Sequence, residues 1–198
     1  MKRVFIIIGN KARTSEFSLN DLPGAGRMDV ICRFIAQSLL VSHGVRKDST
    51  AIAVLLGGPQ KSLKFKGDSI KYMSPDERNV AGLIRKALKA KATDEWLEGS
   101  PGVYVSRKGI GEILDELEGY RILYLREDGE DFHKVAEERD YAFVLGDHLG
   151  VSENMEDEIL KRADGVVSVS PISLQADQCV VILHNILDRF SIRGGCRV

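Results

Sequence analysis

Six short apolar runs, rich in branched residues, constrain this chain's fold more than any other feature: Val4–Ile8, Ala51–Leu56, Val103–Ser106, Arg121–Leu125, Tyr141–Leu145 and Val166–Val169. Most are continuously apolar. A strand with one wet face alternates polar and apolar residues, whereas a strand covered on both faces has no reason to. The runs therefore read as strands buried inside a sheet. Helical patterns lie between them, over Asp29–Val41, Asp76–Ala90, Ile110–Leu117, Met155–Arg162 and Leu174–Phe190. The second of these is preceded by Ser74-Pro75, opens on acids and closes on Arg85, Lys86 and Lys89, matching the helix dipole. Strands alternating with helices predict an α/β fold with a mainly parallel sheet flanked by helices.

One segment breaks the rhythm. Lys61–Tyr72 alternates apolar and polar residues about Gly67-Asp68, which predicts a β-hairpin, a basic flap carrying Lys61, Lys64, Lys66 and Lys71. No linker divides the chain, so its 198 residues read as a single domain.

Composition excludes several classes. With 43% apolar and 29% charged residues, the chain is not of disordered type. No span approaches the ~18 apolar residues of a membrane helix. The run from Met1 to Gly9 is too short for a signal peptide. Cys32, Cys179 and Cys196 are far apart and lack metal-ligand spacing, so neither a metal site nor a disulfide framework is expected. A cytoplasmic protein with reduced thiols fits these features. The net charge of −1 by itself disfavours a nucleic-acid partner. It conceals a division, however. Residues 1–100 carry 17 Lys and Arg against 10 Asp and Glu, and residues 101–198 carry 11 against 19. A basic half of this kind is either a polyanion-facing surface or a set of solvated faces.

In open α/β sheets ligands bind beyond the carboxyl ends of strands. Three such ends are followed by turn-forming loops: Arg126-Glu127-Asp128-Gly129, Gly146-Asp147-His148-Leu149-Gly150 and Ser170-Pro171-Ile172-Ser173. Together they form a candidate small-molecule pocket or are plain turns. Neither GxGxxG after the first strand nor GxxxxGK[ST] is present, which argues against a Rossmann dehydrogenase and a P-loop NTPase. His43, His133 and His184 read as structural or exposed. His148, in the second loop, reads as loop structure.

The segments VLGDHLG and ADGVVSVSPISLQADQCVVILHNILDR resemble the SPOUT methyltransferase superfamily. Adding FIIIGNKARTSEFSLNDLPGAGRMDVICRFI and ILYLREDGEDF narrows the resemblance to the archaeal tRNA (pseudouridine-54-N1)-methyltransferase family, over essentially the whole chain. The resemblance implies a SPOUT fold with a C-terminal trefoil knot, S-adenosyl-L-methionine as cofactor, a homodimer and the T-loop of tRNA as substrate. It implies cofactor contacts at Leu125, Gly146, Val169, Ser170, Pro171, Ile172, Ser173, Leu174 and Cys179. The thiol of Cys179 reads equally as a small buried apolar group. Arg27 and Asp29 resemble the Arg-x-Asp of the sister ribosomal-RNA pseudouridine methyltransferases. They are the catalytic candidates, Asp29 as base and Arg27 on phosphate or uracil. Asp29 also reads as a cap or first-turn acid of the helix that follows, and Asp21 is a second candidate base. Arg13, Arg33, Lys61, Lys64 and Lys66 are expected on RNA phosphates or on a solvated face. The alternatives are a ribosomal-RNA pseudouridine N1-methyltransferase, a non-catalytic RNA-binding factor of the same fold, and an unrelated nucleotide-binding regulator.

Overall fold

A computed structural model describes the chain through residue 193 and its side chains through residue 190; Cys196 lies outside the described residues. Strand β1 (Arg3–Gly9) leads into helix α1 (Met28–Leu39), the short pair β2 (Leu40–Val41) and β3 (Gly44–Val45), then β4 (Ser49–Leu55), β5 (Lys61–Lys66) and α2 (Glu77–Leu88). There follow β6 (Leu97–Ser100), β7 (Val103–Ser106), α3 (Ile110–Asp115), β8 (Arg121–Asp131) and α4 (Phe132–Val135). The chain continues through β9 (Tyr141–Gly146), α5 (Glu153–Leu160), β10 (Gly165–Ser168) and α6 (Ala176–Arg193).

The main sheet has the order β10-β8-β9-β1-β4-β5-β7-β6. Its first five strands are parallel and the last three antiparallel. All residues of β1 are buried, as a strand at the sheet's centre requires. Strand periodicity sorts its side chains to two sides. Phe5 and Ile7 join one core with α1, α2 and α6, while Val4, Ile6 and Ile8 join another with α3 and α5. β9 divides likewise: Tyr141, Phe143 and Leu145 face the first core and Ala142 and Val144 the second. Phe5 and Phe143 stack at 5.5 Å between ring centroids, and Phe132 meets Phe143 edge-on at 5.3 Å. The α/β class expected from the apolar runs is thus realised.

Lys61–Tyr72 is not a hairpin flap. Its first six residues form β5, an internal strand paired with β4 on one side and β7 on the other. The alternation belongs to a strand with Leu63 and Phe65 buried, a pattern shared by hairpin arms and half-buried sheet strands. Gly67 is there for a close approach, because a Cβ would fall 1.9 Å from the Arg46 carbonyl oxygen. Residues 68–76 then run to α2 without forming a strand, and the Asp76 carboxylate caps that helix by accepting from the Asn79 N–H at 2.8 Å.

α6 begins at Ala176, two residues later than the apolar pattern suggested, and packs Val180, Leu183 and Leu187 into the first core. It is tied down by an ionic cluster around the buried Arg3 and His184. Arg3, 2% exposed at the start of β1, donates to Asp188 Oδ1 at 2.8 Å and to His184 Nδ1 at 2.9 Å, and pairs with Asp48 at 3.0 Å. Arg46 makes a two-pronged contact with Asp188 at 3.0 and 2.7 Å. A guanidinium only donates, so Nδ1 of His184 is the acceptor, and Nε2–H donates to the Ser38 carbonyl at 3.1 Å.

Burial, with the Arg46 and Arg3 charges nearby, pushes the His184 imidazolium pKa down to about 3 from 6.5. Below 6.5 the unfolded chain therefore takes up a proton that the folded chain refuses. Stability is expected to fall on acidification through that range, by up to about 1.4 kcal/mol per pH unit. Urea unfolding at about pH 7 and about pH 5 measures this. His184→Gln, which keeps a donor and an acceptor, is expected to flatten the slope.

Candidate active site

The parallel strands bring their carboxyl ends to one edge, and an excursion within β8 and the loops leaving β9 and β10 line a cavity there of about 960 Å3. Pockets for small molecules and cofactors span roughly 300–1,000 Å3. The first loop is an excursion of Leu125–Gly129 between Tyr124 and Glu130, which pair with successive residues Val166 and Val167 of β10. Gly129 allows the excursion to close, since a Cβ there would lie 2.5 Å from the Val167 backbone. The second loop is held by Asp147, whose side chain is 2% exposed. It accepts from the Asn10 N–H and side-chain amide, both at 2.8 Å, and from the Leu149 N–H at 2.9 Å. In the third loop Ser168 Oγ donates to the Ser170 carbonyl at 2.9 Å, and Ser170 Oγ accepts from the Ile172 N–H at 3.2 Å.

The structure brings Leu125, Gly146, Val169, Ser170, Ile172, Ser173, Leu174 and Cys179 to this cavity, with Arg27 on its wall. Pro171 is exposed and is not among the lining residues. The third loop stands ahead of α6 rather than forming its first turn, so its serines do not cap the helix. Burial raises the Cys179 thiol to about 11, making it a neutral wall group at pH 7. His148 lines the cavity with its Nδ1 3.9 Å from Asp147 Oδ1. Asp21 lines a separate hollow with Arg13.

Arg27 is the residue with the most unusual backbone in the site. It has φ 64°, in the left-handed region, directly after Gly26 at φ 75°. Gly26 itself is obligatory, because a Cβ would fall 1.6 Å from the Lys11 carbonyl oxygen. Asp29 does not line the cavity; it lies behind Arg27, 7% exposed. It accepts from Arg27 Nε and Nη2, both at 3.0 Å, and from Arg33 Nη1 at 3.2 Å. Burial pushes its carboxyl pKa up, but the hydrogen bonds and charges of Arg27 and Arg33 outweigh this and hold it below the usual carboxylate range. Its hydrogen-bond donors are guanidinium groups, so it caps no backbone N–H of α1.

The sequence placed Arg126 and Glu127 in a candidate pocket loop without assigning them a role, and gave no sign that Tyr124, Gln175 and Gln178 line the cavity. Arg126 pairs with Asp128 and with Glu156 at 3.1 Å, which leaves Glu127 the acid of that loop without an ion pair among the described residues. The Arg-Glu-Asp-Gly spacing was the available signal, but nothing local says which acid stays free. No group of three or more His, Cys, Asp or Glu residues suited to a metal occurs among the described residues, and none of their helices is long and apolar enough to cross a membrane.

Residues 2–192 match the model of a family of SAM-dependent RNA methyltransferases. In fold the chain is similar to Archaeoglobus fulgidus Nep1 solved with S-adenosylhomocysteine, with a TM-score of 0.61 over 97% of this chain and 100% of that one. At 15% identity that likeness is one of fold, and the fold is that of SPOUT methyltransferases. The chain is thus a SAM-dependent RNA methyltransferase by class. Two relatives, from Methanosarcina acetivorans and Methanosarcina mazei, are each 44% identical to it over 98% of this chain and 94% of their own length. Both are named tRNA (pseudouridine(54)-N(1))-methyltransferase, and the chain belongs to that family.

The residues present fit S-adenosylmethionine. Leu125, Leu145 and Leu174 offer apolar walls for a purine, the bare Gly146 and Gly150 backbone offers polar groups, and Glu127 offers negative charge for a sulfonium and an amino group. A Cβ at Gly146 would lie 2.6 Å from the Gly150 backbone. Gly146→Val is therefore expected to push the second loop into the cavity and abolish calorimetric binding of S-adenosylmethionine while circular dichroism stays native. Unaltered affinity would remove Gly146 from the site.

Proposed function

We propose that this protein transfers a methyl group from S-adenosylmethionine to N1 of pseudouridine 54 in the T-loop of tRNA. The observation that carries the reading is a guanidinium, that of Arg27, fixed on the wall of a cofactor-sized cavity in a chain that belongs to this family. The cofactor supplies an electrophilic methyl on sulfur. Leu125, Gly146, Val169, Ser170, Ile172, Ser173 and Leu174, with Cys179 of α6, would hold it, and Glu127 would offer counter-charge. The chain's task is then to hold N1 of the base in line and to ease loss of its proton to solvent water.

Arg27 performs the second task. Its Nε and Nη2 are occupied by Asp29, and Nη1 has no partner among the described residues, leaving it free to donate to a uracil carbonyl as negative charge develops. Asp29 is a positioning residue in this scheme. A general base works best with a pKa near the working pH, and a carboxylate held low by two guanidinium groups is far from that. The trefoil knot of the C-terminal segment, a two-fold dimer and a cytoplasmic setting belong to the same reading. The likeness in fold supports the knot. For the dimer, the support is the apolar surface at Ile172 and at Val181 on the outer face of α6, 68% and 48% exposed.

Incubation with methyl-labelled S-adenosylmethionine and a tRNA transcript containing pseudouridine tests the function. Mass mapping is expected to place the label on pseudouridine 54; label in ribosomal RNA alone, or none, refutes the reading. Asp29→Asn is expected to fold and to lose about 100-fold in turnover through misalignment of Arg27, with the shape of the pH–rate profile unchanged. Disappearance of the acidic limb in that variant would instead make Asp29 the base.

A further inference from the structure

Three residues other than glycine take a left-handed backbone among the described residues: Arg27, His43 and Tyr72. His43 sits in the tight turn between β2 and β3, and Arg27 in the turn onto α1. Tyr72 lies at a bend in the segment between β5 and α2. A bulky residue at φ 64° costs about 1 kcal/mol or more, and such strain persists where surroundings impose it. Here Asn79 imposes it. Its side-chain amide donates to the Tyr72 carbonyl at 3.2 Å, and its Oδ1 accepts from the Ser74 N–H at 2.8 Å. The result is an aromatic ring 81% exposed, the most exposed large apolar side chain among those described.

The Tyr72 carbonyl is held by Asn79 in the first turn of α2, and that helix carries Arg78, Arg85, Lys86 and Lys89 as a stripe about 17 Å long. Arg78 hydrogen-bonds Asn20 at 2.8 Å, and Lys89 reaches Glu16 at 3.7 Å with both side chains mostly exposed. Arg85 and Lys86 make no ion pair among the described residues. The stripe is joined to the active site. Arg33 contacts Asp29 at 3.2 Å and Glu77, the first residue of α2, at 3.1 Å, so the helix starts one guanidinium away from the Arg27 clamp.

The β5 lysines are already engaged. Lys61 donates to the Leu88 carbonyl at 3.1 Å, Lys64 lies 4.0 Å from the centre of the Trp96 ring and pairs with Glu116, and Lys66 pairs with Asp68.

We infer that Tyr72 and the α2 stripe form a second RNA-contact surface, on which Tyr72 stacks on a base outside the methylation site while Arg78, Arg85 and Lys86 hold the adjoining phosphates. The inference rests on the function proposed above and names where the rest of the tRNA lies. An exposed planar ring on the segment that leads into a helix of outward cations is an arrangement suited to unpaired nucleotides, stacking being tolerant of base identity and the cations of sequence. An acidic protein would use the cations and leave the strained ring without a purpose.

The test measures affinity for a pseudouridine-containing tRNA transcript across a range of salt, with S-adenosylmethionine affinity by calorimetry and melting temperature alongside. Tyr72→Ala is expected to weaken tRNA binding by roughly 5- to 100-fold and to leave cofactor affinity unchanged, and Tyr72→Trp to keep wild-type tRNA affinity. Tyr72→Gly is expected to weaken tRNA binding while melting at the same or a higher temperature, since glycine relieves the backbone strain. A purely structural tyrosine would not separate those two readouts. Combined Arg85→Gln and Lys86→Gln is expected to lower the salt slope by about 1.4 to 1.8. Wild-type affinity and salt slope in all these variants, with methylation of tRNA intact in the parent, overturn the surface and spare the function. Loss of affinity in Tyr72→Ala with no methylation by the parent overturns the function and spares the surface. A parent that binds no tRNA at any salt overturns both.

Discussion

A strand with no exposed residue can exist only between two neighbouring strands and beneath two covering layers, and β1 imposes that condition on the rest of the molecule. Its N–H and C=O groups demand partners on both edges, which β4 and β9 provide in parallel. Its two faces demand helices, so the chain must cross from one side of the sheet to the other. Parallel pairing then brings the carboxyl ends of β1, β9 and β10 and the Leu125–Gly129 excursion of β8 to one edge, where they meet. The site is a consequence of the burial. Asn10, the first residue beyond β1, holds Asp147 of the second cofactor loop directly.

Burial of β1 also has a charged consequence at its other end. Arg3 is nearly inaccessible, and a buried guanidinium without counter-charge would cost several kcal/mol. Asp48 and Asp188 offset that, and His184 must stay neutral to accept from the same group. Two of these three partners sit on α6. The residues that fix the last helix are thus selected by a problem at the first strand, and that helix positions Cys179 and Gln178 in the cavity. Stability and the shape of the cofactor site share one helix for this reason.

The core of this arrangement was legible in the sequence because double burial writes itself as uninterrupted apolar runs; each of the six corresponds to an observed strand. β5 and β6 were not read as strands of the main sheet, since β5 alternates like any half-wet strand and β6 is short and mostly polar. Of the site, the loops after β8, β9 and β10 were legible from their place beyond apolar runs, and the assignment of roles within them came from family resemblance. Pro171 shows the limit: it lies in the right loop but is exposed and is not among the residues that line the cavity. Asp29 shows another. Its position at the head of a helix suggested a cap or a base, but pairing with two arginines depends on Arg27 taking a left-handed backbone, which propensity disfavours.

Charge balance shows most clearly why counting residues misleads. The basic excess of residues 1–100 arises in large part from β5 and α2, which look equivalent on paper. Their surroundings separate them. β5 lies inside the sheet, so Lys64 is partly desolvated; burial lowers its pKa despite the Glu116 carboxylate beside it. The Leu88 carbonyl accepts from Lys61, and the Glu116 and Asp68 carboxylates offset the charges of Lys64 and Lys66. α2 lies on the outside of the first helical layer, where only Glu77 of its residues is acidic and is consumed by Arg33. A protein of net charge −1 can therefore present a positive stripe to a polyanion, provided that its acids are placed against the other cations. Such a surface is set by pairing, and pairing is a property of the fold.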